Sequence, residues 1–262
     1  MKEFENTGYW ALILGGSSGL GLAAAKKLAL HGMNVCIIHR NSRAEMESIR
    51  SDFDQIQSNG ITFLNFNADA LNTDKRQELI GEIKSKIGDG KIRTLVHSIA
   101  KGNLKSMTNG DSSLTAEDFA ITIHAMAISL YEWTKEIFNA DLFASDARII
   151  SFTSEGSSKA WKHYGAVSAA KAALEAISRN IALEFADFGL RANCVQAGIT
   201  DTQSLRMIPG SKDLIEHTKK RNPFQRLTLP EDVANVVYLL SKDEASWING
   251  TVIPVNGGEH LQ

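Results

Sequence analysis

Short apolar runs of strand length alternate along the chain with longer stretches in which apolar side chains recur at helical spacing. The run YWALIL (9–14) leads into a helical pattern from about Gly19 to His31, which stops at His31-Gly32. Glycine there suits a left-handed cap, and His31 reads as a C-terminal residue facing the helix dipole. Strand-like runs recur at VCIIH (35–39), ITFLNF (61–66), IRTLVH (92–97), ARIISFT (147–153), RANCVQ (191–196) and GTVIPV (250–255). Helical patterns lie near 42–58 and 73–87, from about Thr115 to Phe138, through Lys171 to about Phe188, and from Pro230 to Leu240. Strands alternating with helices at this spacing predict an α/β fold, a seven-stranded parallel sheet doubly wound with helices on both faces. No linker, repeat or charge block divides the chain, so a single domain over 1–262 is expected. Only 199–229 lacks a clear period, and its first part, 199–222, is expected to form a mobile lid over a ligand.

Composition narrows the class without altering that picture. A chain of 262 residues, 43% hydrophobic, can bury a full core. Its formal net charge of −2 argues against a general nucleic-acid binder, which carries a basic surplus. The opening MKEFENTGYWALIL is polar and acidic, then apolar too briefly for a signal peptide or a membrane span. Cys36 and Cys194 sit inside apolar runs and read as free core thiols, which fits a reducing, cytoplasmic setting. No Cys/His spacing matches a metal site, so no structural metal is expected.

The chemistry begins at LGGSSGLG, where Gly15, Gly19 and Gly21, interleaved with Ser17, Ser18 and Leu20, join the first strand to the first helix. The chain must turn tightly there, bring backbone N–H groups to an anion and pack a helix closely on the sheet. Glycine permits all three, and the helix N-terminus adds a favourable dipole. Alone such a loop could be a plain turn; between a strand and a helix it is the setting of a Rossmann-type dinucleotide site. The second strand ends at His39-Arg40, with Arg43 close by. An NAD-specific site offers a carboxylate to the ribose hydroxyls at this point. Here the acid is missing, and a guanidinium suits a 2′-phosphate, so the expected cofactor is NADPH/NADP; the alternative for Arg40 is a solvated surface side chain.

With these residues in place, the chain resembles the short-chain dehydrogenase/reductase family over nearly its whole length. Gly15-x3-Gly19-x-Gly21 is similar to the family's phosphate loop, although Leu14 stands where Thr is common. The NADA segment, AG at 197–198 and the closing VNGG at 255–258 fall in family order, with Asn256 replacing the usual Asp. The resemblance implies that Asp69 meets the adenine amine. It also implies that Ala70, Ser98, Ile99, Ala100, Gly198 and Thr202 join the cofactor site and that Lys171 holds the nicotinamide ribose. Two features look like the enoyl-acyl-carrier-protein reductases in particular. His97-Ser98-Ile99-Ala100 replaces the usual Asn-Asn-Ala-Gly, and Tyr164 precedes Lys171 by seven residues, where four is ordinary. The ordinary helper Asn is absent, with Met126 near that place. Ser154 keeps the position of the ordinary subfamily's carbonyl-binding serine, the one feature that favours a carbonyl reductase; it could equally be a plain strand-end hydroxyl.

On an α-helix seven residues span about two turns and roughly 10 Å on nearly one face. That spacing would displace Tyr164 toward the helix N-terminus, which suits a conjugate reduction. In an enoyl thioester hydride lands on C3, while negative charge develops on the thioester oxygen several bonds away. Tyr164 is expected to hydrogen-bond that oxygen, with the Lys171 charge easing loss of its proton. The expected substrate is a trans-2-enoyl thioester on acyl carrier protein or coenzyme A. A 3-oxoacyl thioester reductase is the runner-up, and a non-catalytic NADP(H)-binding regulator the remote third reading. His97 and His124 read as packing histidines, and His163, adjacent to Tyr164, as pointing about 100° away from it. Tyr131 and Trp133 read as packing the long helix, which in this family often builds a homotetramer or dimer interface. Leu205, Met207 and Ile208 could close over an acyl chain, with Gly198 and Gly210 permitting movement. Lys219-Lys220-Arg221 reads as a solvated charge run, or as a surface for an acidic carrier.

Overall fold

The computed structural model describes residues 2–108, 110–208 and 210–261. The chain runs β1 (Tyr9–Leu14), α1 (Gly19–Leu30), β2 (Asn34–His39), α2 (Arg43–Gln57), β3 (Phe63–Asn67), α3 (Thr73–Ile87) and β4 (Lys91–His97). It continues α4 (Ala116–Ile123), α5 (Ser129–Asn139), β5 (Phe143–Ser154), α6 (Gly165–Glu184), β6 (Leu190–Ala197), α7 (Gln203–Arg206), α8 (Ser211–Arg221), α9 (Pro230–Ser241) and β7 (Val252–Val255). Among the described residues the strands form one seven-stranded sheet in the order β3-β2-β1-β4-β5-β6-β7. Every pairing is parallel.

The near-continuous apolar strands divide their side chains between two cores, as a sheet buried on both faces requires. Leu12, Leu14, Leu95 and Ile149 pack with α3, α5 and α6 on one face. Ala11, Ile13, Val96 and Ile150 pack with α1, α2 and α9 on the other. Winding reverses at β1, which lies between β2 and β4. Loops after β1 and β4 therefore leave in opposite directions and open a crevice at their C-terminal ends.

Three expectations about elements need correction. The long helical pattern is two α-helices, α4 and α5, joined by a π-helical turn over His124–Ile128. Within α5, Trp133 packs as expected: it is wholly buried in the core, where its indole N–H donates to the Ala70 carbonyl at 2.9 Å. The stretch over 199–222 contains α7 and α8, and a backbone bridge pairs Thr200 with Thr228 at its base. The strand expected at 147–153 begins earlier, at Phe143, with a register shift against β4. His31 does cap α1, stacked on Tyr238 with ring centroids 3.8 Å apart, and both cysteines are buried and free.

Candidate active site

A cavity of about 550 Å³ lies at the C-terminal ends of β1, β4, β5 and β6. One end of it is mostly backbone. Gly15 (φ +82) and Gly19 (φ +53) adopt left-handed conformations that L side chains resist. A Cβ on Gly15 would stand 2.6 Å from the Ser98 carbonyl oxygen, and one on Gly21 would strike the Gly15 oxygen. Ser18 caps α1 without a side-chain hydrogen bond, and the first turn holds no acid. The positive end of the helix dipole therefore lies open beside a glycine cradle, which fits an anionic diphosphate. Gly15, Ser18, Gly19 and Leu20 line this end, facing Ser98, Ile99 and Ala100 from the segment after β4. Ser17 and Gly21 do not line it; the bare Gly21 lets α1 close on the loop.

At the far side β2 ends in His39, a buried imidazole hydrogen-bonded to Asn41 at 2.8 Å, so no carboxylate is offered there. Arg40 lines the cavity, its side chain 62% exposed, and Nη1 donates to Asp69 Oδ2 at 2.9 Å. Asp69 accepts the Leu71 amide through its other oxygen. Asp69 and Ala70 thus stand behind Arg40 and the core rather than in the wall itself. Thr202 caps α7, accepting the Leu205 amide, and its methyl carbon approaches the phosphate loop at Gly19. Gly198 also lines the cavity, but as a packing glycine, since a Cβ would strike the Thr228 hydroxyl and Asn256.

The other end brings Ser154, Tyr164 and Lys171 together. Tyr164 is not inside α6 but is its N-cap, with φ −108° and ψ 5°. The seven-residue spacing is therefore not a rise along one helix face, and the expectation built on it is replaced by a turn geometry. His163, at φ +63°, makes that turn. Gly156 leaves room for the phenol ring: a Cβ there would stand 2.5 Å from Tyr164 Cε1. The ring packs in a small apolar cluster with Met126 and Val167, tilted against Trp161 at 5.2 Å. Its hydroxyl lies 3.4 Å from Ser154 Oγ. Lys171 is buried and donates to the Phe152 carbonyl at 2.7 Å.

Burial sets the direction of both titratable groups. It pushes the Tyr164 phenol above its ordinary range, opposed by the hydrogen bond with Ser154; the Lys171 charge is not what governs it, contrary to expectation. Burial brings Lys171 down to about 8, with Cys194 and Glu175 opposing. His97 is a core histidine, hydrogen-bonded to Ser129 at 2.7 Å and brought down to about 3 by burial and, second, by the Lys171 charge.

Several further residues form the wall; of these the sequence pointed only to Met126, near the place of the missing helper Asn. Met126 reaches the cavity from the π-helical turn, and Trp161 comes from the loop before Tyr164. Glu155 and Glu259 also line it. Arg221, read as part of a solvated run, is instead mostly buried and bound to both carboxylates. Among the described residues no group of His, Cys, Asp and Glu is arranged to hold a metal ion, and no helix is long and apolar enough to cross a membrane.

Comparison with known proteins places this geometry. The family model described as enoyl-(acyl carrier protein) reductase matches residues 15–260. A tropinone reductase homolog of Arabidopsis thaliana is 30% identical, covering 98% of this chain and 94% of its own. The NADH-dependent enoyl-acyl-carrier-protein reductase of Aquifex aeolicus is 33% identical over 66% of this chain and 63% of its own. A solved structure of the enoyl reductase from that organism superposes with a TM-score of 0.86 at 27% identity, covering 99% of this chain and 98% of that one. The chain belongs to the short-chain dehydrogenase/reductase family, whose members are oxidoreductases that bind a nicotinamide dinucleotide.

Proposed function

We propose that the protein is an NADPH-dependent reductase of the 2,3 double bond of trans-2-enoyl thioesters, an enoyl-acyl-carrier-protein reductase of fatty-acid synthesis. The observation that carries the reading is Tyr164 standing as the N-cap of α6 in an apolar pocket of Met126, Val167 and Trp161. The bound dinucleotide would supply a hydride. Gly15, Gly19 and the α1 N-terminus would hold its diphosphate, and Lys171 its nicotinamide ribose. Arg40 favours a 2′-phosphate, since β2 ends in His39 where an NAD-specific site offers a carboxylate, even though Arg40 also pairs with Asp69; the Aquifex enoyl reductase, by contrast, carries NADH in its name. Tyr164 donates its hydroxyl proton to the thioester oxygen on which charge develops, a hydrogen bond that strengthens toward the transition state. The apolar walls, with Leu205 and Ile208 from the lid, exclude water and accept an acyl chain. The carrier, acyl carrier protein or coenzyme A, stays outside. Exposed Ile121, Ile128 and Tyr131 on the α4–α5 face support a homotetramer or dimer.

A second reading, reduction of a ketone such as a 3-oxoacyl thioester, is favoured by the approach of Ser154 to Tyr164 and by the tropinone reductase homolog. An NADPH-oxidation assay with crotonyl and acetoacetyl thioesters side by side decides between them. Turnover of the crotonyl thioester with little of the acetoacetyl one is expected; the reverse installs the carbonyl reductase. NADPH binding without turnover of either would leave the remote reading, an NADP(H)-binding regulator.

A further inference from the structure

Arg221 closes α8 and differs from the lysines beside it. Its side chain is 18% exposed, against 46% for Lys219. Nη2 donates to Glu155 Oε2 at 2.9 Å and to Glu259 Oε1 at 2.7 Å, and Nε is buried with no partner among the described residues. The two carboxylates are themselves nearly covered, at 11% and 4% exposure. Three distant stretches thereby meet: the residue directly after Ser154, the end of the lid, and the C-terminal turn.

The same turn also holds the other stem of the lid. Glu259 Oε2 accepts the Ile199 amide at 3.4 Å, while Asn222 donates to the Asn256 carbonyl at 2.9 Å. Both ends of 199–222 are thus tied to residues 256–259, and the Arg221 side chain bridges that anchor to Glu155, directly after Ser154. A charge-assisted bond between mostly buried partners is strong, and loss of one member strands the others. Burial opposes ionisation of Glu155, but Lys159 and Arg221 together hold its carboxyl below the ordinary range, so the pair stays charged at neutral pH.

We infer that Arg221 is a positioning residue of the site: by bridging Glu155 and Glu259 it seats the 199–222 segment against the Ser154 loop and so shapes the wall that faces substrate. The inference rests on reading the cavity as the dinucleotide and substrate site. It requires that Arg221 govern substrate capture and lid mobility while leaving the phosphate loop untouched.

Arg221→Met and Arg221→Lys, made in the full chain, test it with three measurements: NADPH affinity by fluorescence titration, steady-state kinetics with the crotonyl thioester, and limited proteolysis. For Arg221→Met the expected result is a KM raised about tenfold or more, kcat within about threefold and NADPH affinity within about twofold of the parent. Cleavage within 200–222 should be about tenfold faster. Arg221→Lys should recover most of each change, since one ammonium can still bridge the carboxylates. Parent-like KM and cleavage in Arg221→Met, with NADPH still bound, would overturn the inference while leaving the reading of the cavity intact. Failure of the parent to bind NADPH or NADH would overturn that reading instead. If the crotonyl thioester is not turned over, the proteolysis arm decides alone. If Arg221→Met does not fold, Glu259→Gln takes its place, with faster cleavage at 200–222 expected and parent-like cleavage overturning the inference.

Discussion

Arg40 and Tyr164 each show how a side chain's surroundings set what it can contribute. The Arg40 guanidinium is mostly exposed and already shares a carboxylate with Asp69, so water and that partner both dilute its pull on a phosphate. Arg40→Ala is expected to weaken NADPH binding by on the order of 1.5 kcal/mol and to leave NADH nearly unchanged. Fluorescence titration with both cofactors checks this, and equal losses for the two would rule out a 2′-phosphate contact. Tyr164 is buried and its phenol is held protonated, the state a proton donor needs. Tyr164→Phe should lower kcat by about 10²–10³ with NADPH affinity unchanged. Ser154→Ala separates the two chemistries: an enoyl reductase keeps substantial rate, whereas strong acetoacetyl thioester reduction abolished by this change would make the protein a carbonyl reductase.

Helices and strands around the site are tied by buried polar groups whose protonation matters. His97, closing β4, bonds to Ser129 at the start of α5 and is neutral in the fold. Its folded pKa of about 3 lies below the ordinary 6.5. The stability this neutral ring supports is thus complete above the unfolded value and is lost as pH falls from 6.5 toward 3. The slope approaches about 1.4 kcal/mol per pH unit inside that window. His31 and His39 are also pushed down by burial and add to the same trend. Chemical denaturation of the parent and of His97→Gln between pH 7 and 4.5, about the range in which histidines rather than carboxylates titrate, should show a shallower decline in the variant. Parallel curves would remove His97 from the acid response. The π-helical turn between α4 and α5 acts at this scale too, since it is the segment that carries Met126 to the cavity.

Across the whole molecule, the interior strands β4, β5 and β6 are tied to one another and to α9 by charge. Arg93 and Arg148, both wholly buried, converge with Arg191 on the single carboxylate of Asp146. The first two also donate to the carbonyls of Leu240, Ser241 and Lys242, satisfying the C-terminus of α9. One acid therefore joins β4, β5 and β6 to a helix from the end of the chain. Asp146→Ala would leave three guanidiniums without their shared carboxylate; the exposed Asp243 on Arg93 and several backbone carbonyls remain as partners. Because Asp146 is itself about a third open to solvent, a loss near the low end for a broken buried pair, about 3 kcal/mol, is expected. Urea unfolding measures it, and a change under about 0.5 kcal/mol, the level of an ordinary surface substitution, would show the cluster to be ornamental.

What the sequence determined by itself was everything written in short-range pattern. Apolar runs spaced by helical periods sufficed for a parallel, doubly wound sheet, because a strand buried on both faces has no polar side to show. The phosphate loop was legible because Gly15 and Gly21 answer to backbone contacts only a hydrogen atom can fit. What depended on chain segments meeting in space was not legible. Tyr164 and Lys171 have a sequence spacing, but only the turn at His163 decides that the tyrosine caps α6 instead of riding on it. Arg221 looks like its lysine neighbours until Glu155 and Glu259, 66 and 38 residues away, close around it. Local periodicity encodes which side chains must leave water, whereas the partner a buried charge finds is set by tertiary packing, and that choice gave this cavity its walls.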